Sequence, residues 1–216
     1  MKGLILKDLL NLKRYVRIVA LLFVVYAVFF SLVDQGSGMG AMFALLGSML
    51  VITTMSYDDL AKWDGYALAM PISRRDVVLG KYLVMLLLCL AGAAVGALFD
   101  ILSGLFHHNL AAGEVVLSSG LILCVALVLN SLALPLLYKF GAEKARILLI
   151  LCYLLPVIVI LGIGKLLPNA QQSMQWFNDL FARAPLLGFA MAAALALGVV
   201  CISYGCSLAI YSKKDI

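Results

Sequence analysis

An all-α, polytopic membrane protein is the fold class that this sequence predicts, and three observations predict it. Apolar residues make up 65% of the 216-residue chain, well above the ~45–50% of ordinary soluble domains. Charged residues make up 12%, about half of the usual ~25%. That leaves too little polar surface to clothe a water-soluble particle of 23.3 kDa with a mean hydropathy of +1.11. The apolar residues also gather into six runs, each near the ~20 residues that a helix needs to cross a bilayer. The same figures exclude disordered, collagen-like and disulfide-rich secreted classes.

The six runs are 18–33, 39–57, 82–102, 115–138, 147–164 and 185–211. The first reads as a signal anchor, because no small-x-small cleavage site follows Val33 and further spans come after it. Ahead of it, residues 1–17 predict an interfacial helix. Leu4, Ile5, Leu9, Leu12 and Val16 recur at helical spacing, with Lys7, Asp8, Asn11 and Arg14 elsewhere around the wheel. This helix is expected to lie on the inner leaflet and turn into the first span near Arg17. The chain is then one transmembrane domain, 1–216. Spans one and two occupy 18–57, a cytoplasmic coupling segment 58–75, spans three to six 76–211, and a cytoplasmic tail 212–216.

Orientation follows from where Lys and Arg fall. Lys2, Lys7, Lys13, Arg14 and Arg17 precede the first span, and Lys62, Arg74, Arg75 and Lys81 lie between the second and third. Lys139, Lys144 and Arg146 lie between the fourth and fifth, and Lys213 and Lys214 follow the last. Of the 16 basic residues, only Lys165 and Arg183 are left for the other side. Basic residues stay in the cytoplasm, so both termini are expected there. The pI of about 9.0 is a product of this asymmetry. It suits an anionic inner leaflet and gives no support to nucleic-acid binding.

Local signals fit the layout. Ser73-Arg-Arg-Asp76, directly after Pro71, is a capping box that should start the third membrane helix in the cytoplasm. Pro185 suits the first turn of the sixth. Pro135 and Pro156 should kink the fourth and fifth. Gly92 and Gly96 make a small-xxx-small face that permits close helix contact and would suit pairing of two copies. Cys89, Cys124 and Cys152 lie in apolar runs, and Cys201 and Cys206 are five apart, off any metal-like spacing. The five read as small hydrophobes rather than a disulfide framework.

The segment 58–81 is the most informative. Leu60, Trp63 and Ala67 fall on one face at i, i+3 and i+7, with Asp59, Lys62 and Asp64 elsewhere. This predicts a short amphipathic helix ending near Pro71, a rigid mixed surface facing the cytoplasm. Trp63 is the expected anchor of that surface, since large aromatics dominate interface cores. Lys62, Arg74 and Arg75 are expected at its rim or on lipid phosphates.

The run Trp63-x2-Tyr66-x4-Pro71-Ile72-Ser73-Arg74-Arg75-x3-Leu79-Gly80-Lys81-Tyr82 resembles a stretch of ABC type-2 permease subunits. It is most similar to the small six-span permeases of bacterial peptide export, including phenol-soluble modulin exporters. Lys7-Asp8-Leu9, ahead of the first span, resembles the same group. The resemblance covers the whole chain in layout and about the first 85 residues at motif level. It implies a bacterial cytoplasmic-membrane permease for a hydrophobic or amphipathic substrate, working as a pair. Its interfacial helix and second-to-third loop would contact a separate ATPase subunit, which would carry ATP and Mg. The docking positions implied are Asp59, Lys62, Trp63, Asp64, Tyr66, Pro71, Ser73, Arg74 and Arg75. No Gly-x4-Gly-Lys-Ser/Thr phosphate loop occurs in the sequence, and Gly162-Ile-Gly164-Lys165 lacks a strand-to-helix context. Neither catalytic residues nor a cofactor are expected on this chain.

Inside the membrane, Asp100 near the outer interface and Asn130 and Ser131 before Pro135 are candidates for a substrate path. The two polar residues equally suit hydrogen bonding at the proline kink. His107 and His108, with Asp100 and Glu114 nearby in sequence, invite a zinc reading. Adjacent histidines cannot share a helical face, so no metal is expected. Trp176 reads as an interface anchor. A rival class is an intramembrane lipid-headgroup enzyme using the acidic cluster Asp58, Asp59, Asp64 and Asp76 to hold a divalent cation. Spacing opposes it, because no Ala-Arg pair follows Gly65 and no later Asp-x3-Asp follows on the same helix. An ion-coupled carrier would need midplane acidic residues and an inverted repeat, and the sequence has neither.

Overall fold

The computed structural model describes residues 2–32, 39–69, 72–106, 112–166 and 184–213, with side chains described for part of these. Every element among them is helical: α1 (Lys2–Leu32), α2 (Met39–Leu60), α3 (Trp63–Ala69), α4 (Arg74–Phe106), α5 (Ala112–Leu166) and α6 (Pro185–Ser212). Among the described residues, three stretches are long and apolar enough to cross a membrane: Arg74–Leu102, Val115–Ala142 and Pro185–Ser212. These coincide with the third, fourth and sixth expected spans. The other three fall wholly or partly on residues whose side chains lie outside the description.

α1 runs without a break from Lys2 to Leu32. Between Leu4 and Leu32 the sequence has neither glycine nor proline, so nothing interrupts the helical ladder at Arg17, and the expected interfacial helix and first span share one element. Its first half runs across α2 instead of along it. Lys7 and Tyr15 lie about 12 Å apart along α1, yet they meet neighbouring residues of α2, Asp58 and Tyr57. A parallel or antiparallel helix pair would separate those partners by two turns.

α2 and α3 are joined by a tight corner. Ala61 N–H donates to the Tyr57 carbonyl and Lys62 N–H to the Asp59 carbonyl. Lys62 itself takes a left-handed conformation at φ 49°, which ends α2 in the manner usually reserved for glycine or asparagine. The corner corrects the expected amphipathic face. Leu60 belongs to α2 and is 75% exposed, whereas Ala67 is fully buried; the helical register that would align them is interrupted at Lys62.

α4 begins as the capping box predicts. Asp76 N–H donates to Ser73 Oγ at 3.2 Å, while Ser73 Oγ and Ser73 N–H both donate to Asp76 Oδ2, at 2.8 and 3.3 Å. Pro185 stands in the first turn of α6, where its missing N–H costs nothing. α5 is a 55-residue helical run in which Gly141, at φ 73° and ψ 165°, has non-helical dihedrals. The connection expected between the fourth and fifth spans is therefore a single-residue break inside the basic stretch Lys139–Arg146.

α4 is the central element, packing on α1, α2, α5 and α6. Its inner stripe includes Val78, Tyr82, Met85, Leu88 and Cys89, which pack against Val51 and Met55 of α2 and Leu127, Leu134 and Tyr138 of α5. Gly92 and Gly96 lie on this buried side, so their small-xxx-small face is covered within the chain. α6 buries few residues, among them Ser203, Ser207 and Tyr211, and exposes Leu186, Leu187, Met191, Leu195 and Ile202. Such a helix, apolar all round, suits contact with lipid. Cys89 and Cys124 are buried as small hydrophobes, Cys201 and Cys206 lie exposed on α6, and Cys152 is outside the described side chains.

A candidate functional site where the helix ends converge

Four charged side chains form a closed ring at one end of the bundle. Lys7 Nζ lies 3.3 Å from Asp8 Oδ1 and 2.6 Å from Asp58 Oδ1, and Lys81 Nζ lies 2.8 Å from Asp8 Oδ2 and 2.6 Å from Asp58 Oδ2. Each cation touches both anions, and each anion both cations. The side chains of Asp8 and Lys81 are only 4% and 7% exposed, so both charges lie away from water and face their partners instead. Through the ring, α1, α2 and α4 are tied at one point. Lys7 Nζ also stands 4.0 Å from the centre of the Trp63 ring, a cation–π contact that adds α3. Leu4 packs beside Gly80 at the same crossing.

The remaining helices are fastened to the same segment. Asp59 Oδ2 accepts the N–H of Ala142, the first residue after the Gly141 break. A helix that restarts there has N–H groups with no carbonyl one turn earlier, and Gly141 has no side chain to cap them. Asp59 supplies the missing acceptor, with its negative charge at the positive end of the helix dipole. At the other side, Arg74 Nη1 donates to the carbonyls of Tyr211 and Ser212 at 3.0 and 2.8 Å. It thereby caps the C-terminus of α6 with a cation, the favourable sign there. The stretch from Asp58 to Lys81 thus bonds to α1, α5 and α6 while joining α2 to α4.

This changes what the expected docking residues do. Trp63 is half-buried, with Lys7 over one face of its ring, and lines a small cleft with Met55, Asp58, Asp59, Lys81 and Tyr138. Tyr66, by contrast, is 65% exposed. Lys62 and Arg75 are exposed, in keeping with a rim. Ser73 is engaged in the α4 cap and Arg74 in the α6 cap. Pro71 and the side chain of Asp64 lie outside the described residues. Lys7, Asp8, Asp58 and Lys81 carry the centre of the site, yet spacing singled out none of them as a cluster. The only sequence signal was that Lys7-Asp8 and Gly80-Lys81-Tyr82 both stand in the stretches that resemble ABC type-2 permeases.

The membrane candidates sit apart. Asp100 is partly buried two turns before the end of α4, about 28 Å along the helix from Lys81. Asn130 and Ser131 are completely buried. Asn130 Nδ2 donates to the Ala126 carbonyl at 2.8 Å and faces Cys89 Sγ of α4 at 3.9 Å, and Ser131 Oγ donates to the Val128 carbonyl at 2.8 Å. Ser203 Oγ of α6 donates to the Ser131 carbonyl. The Tyr82 hydroxyl of α4 bridges Ser203 Oγ at 2.6 Å and Ser207 Oγ at 2.9 Å. Asn130 and Ser131 therefore lie where α4, α5 and α6 are held together. His107 and His108 are outside the described residues, as are Trp176 and the side chain of Glu114.

Nor does the acidic cluster converge. Asp58 is held in the ring, Asp59 at Ala142 and Asp76 at Ser73, three separate partners. Among the described residues no group of three His, Cys, Asp or Glu is arranged to hold a metal.

A family model described as an ABC-2 family transporter protein matches residues 3–212. No curated protein matches the chain.

Proposed function

The chain belongs to the ABC-2 transporter family and is a membrane permease component of an ABC transporter, and on that premise we propose that the segment 58–75 is its docking surface for the ATPase subunits. The observation that carries this reading is the convergence at that segment: it bonds to the start of α1, the Gly141 break of α5 and the end of α6, and joins α2 to α4. A partner pushing on it displaces the whole bundle at once. The lack of a Gly-x4-Gly-Lys-Ser/Thr phosphate loop in the sequence supports nucleotide chemistry on another polypeptide. Leu60 and Tyr66, 75% and 65% exposed on either side of the Lys62 corner, are the apolar contacts; Lys62 and Arg75 form the rim. Trp63 transmits the push inward to Lys7.

Two copies would pair with two ATPases in a bacterial cytoplasmic membrane, with both chain ends in the cytoplasm. The substrate is a hydrophobic or amphipathic peptide moving outward. Support for substrate and direction comes from the Trp63–Tyr82 resemblance, and for orientation from the distribution of Lys and Arg.

Co-purification of the tagged chain from its native membranes tests the docking surface. Tyr66→Ala is expected to release the ATPase subunit, since truncating a central aromatic anchor commonly costs about 2 kcal/mol or more of binding. Insertion and helix content should stay unchanged. Full ATPase retention in a Tyr66→Ala, Leu60→Ser double variant would refute the surface.

A further inference from the structure

Resting on the docking reading, we propose that Asp59 is a positioning residue for the transport cycle: it couples the docking segment to the helix that restarts after Gly141. Three observations support this. Gly141 takes φ 73° and ψ 165°, a region essentially restricted to glycine, so the run from Ala112 to Leu166 is two rods joined at one pivot. The second rod begins with N–H groups that the break deprives of carbonyl partners, and Gly141 cannot cap them. Asp59 does so from another helix, 83 residues earlier in the chain. Its carboxylate also lies 3.4 Å from where a side chain on Gly141 would begin, so the pivot and the cap are in contact.

The neighbouring residue sharpens the assignment. Asp58 points into the charge ring and holds α2 to α1 and α4, whereas Asp59 bonds to α5. Consecutive carboxylates on the last turn of α2 therefore divide the bundle between them. Moving the docking corner carries Asp59, Asp59 carries the start of the second rod, and Gly141 lets that rod swing without dragging the first. Asp59 itself is exposed, so the link can be broken without opening the core. This assignment takes Asp59 out of the ATPase contact set and makes it internal to the permease.

Amide hydrogen exchange on the full-length chain in nanodiscs, alone and with the ATPase that co-purifies with it, tests the proposal. In the chain alone, Asp59→Ala should speed exchange of the amides just after Gly141 about fivefold, while Asp59→Asn, an equally good cap, should leave it near wild type. In the complex, ATP should alter exchange both in α3 and after Gly141 in wild type and in Asp59→Asn, but only in α3 in Asp59→Ala. ATPase retention should be equal in all three. Unchanged exchange after Gly141 in Asp59→Ala alone would overturn the cap. A nucleotide effect still reaching that helix in Asp59→Ala would overturn the coupling. Loss of the ATPase from Asp59→Ala would return Asp59 to the docking surface. An ATP response absent from α3 in wild type would refute the docking reading, with the cap judged separately from the chain alone.

Discussion

Lys81 and Tyr82 are consecutive residues of α4, and they bind the bundle together by opposite means. Lys81 faces α1 and α2 through a ring of four full charges. Tyr82 faces α6 through neutral hydroxyls, with its ring set edge-on to Tyr204, centroids 5.4 Å apart. The difference lies in divisibility. A hydroxyl that loses its partner leaves one modest, uncharged vacancy, and neighbouring carbonyls accept substitutes. A buried ion that loses its partner leaves an unbalanced charge. The ring is therefore a single unit of four, whereas the hydroxyl chain is a sum of separate links.

The largest expected effect comes from unbalancing the ring. Lys81→Met should destabilise the purified chain by about 3–5 kcal/mol in detergent unfolding, because it leaves two carboxylates sharing the single cation of Lys7. Lys81→Met combined with Asp58→Asn leaves Lys7 and Asp8 balanced. The double variant should cost less than the sum of the single ones by more than about 1 kcal/mol. Additive losses would show that the ring is not a unit. Next comes Gly141→Ala, which forces a side chain into dihedrals that L residues avoid and should cost about 1–3 kcal/mol in the same assay. On the hydroxyl side, Tyr82→Phe should cost only about 0.6–1.7 kcal/mol, the range for hydrogen bonds between membrane helices. Its effect should add to that of Lys81→Met despite their adjacency, and a coupling above about 0.5 kcal/mol would show that the two systems are not separate. The smallest change expected is a gain. Lys62→Gly relieves a left-handed lysine and should stabilise by up to about 1 kcal/mol, with ATPase retention as a check that the α2–α3 corner keeps its geometry.

Sequence legibility divides along similar lines. The Ser73–Asp76 cap, the start of α6 at Pro185 and the apolar spans Arg74–Leu102, Val115–Ala142 and Pro185–Ser212 were readable because each depends on residues within a few turns of one another. The ring joins residues 51 and 73 apart, and the Asp59 cap spans 83; no periodicity carries such pairings. The Lys62 corner was hidden because nothing in a lysine announces a positive φ, and missing it put Leu60 on the wrong face. Gly141 was visible as a glycine in a basic connection, but its neighbours gave no sign that one residue would suffice. Arg74 and Arg75 look alike in sequence, and only the position of the α6 carboxyl end separates the capping residue from the rim residue.

The lipid-facing side of α4 has a length of its own. Its exposed apolar residues run from Leu87 to Leu105, about 27 Å along the axis, close to the ~30 Å depth of bilayer hydrocarbon. Lys81 lies six residues before that band, about 9 Å outside it; with the band filling the hydrocarbon, the charge ring would stand at the level of the phospholipid headgroups. A bilayer several ångströms thicker would draw the ring toward acyl chains or force α4 upright, and a thinner one would leave Leu87 in the headgroup layer. Hydrophobic mismatch of this kind costs fractions of a kcal/mol per ångström. Because the ring ties α4 to α1 and α2, with α3 held through Trp63, the tilt of the α2–α3 corner follows the thickness of the membrane around α4.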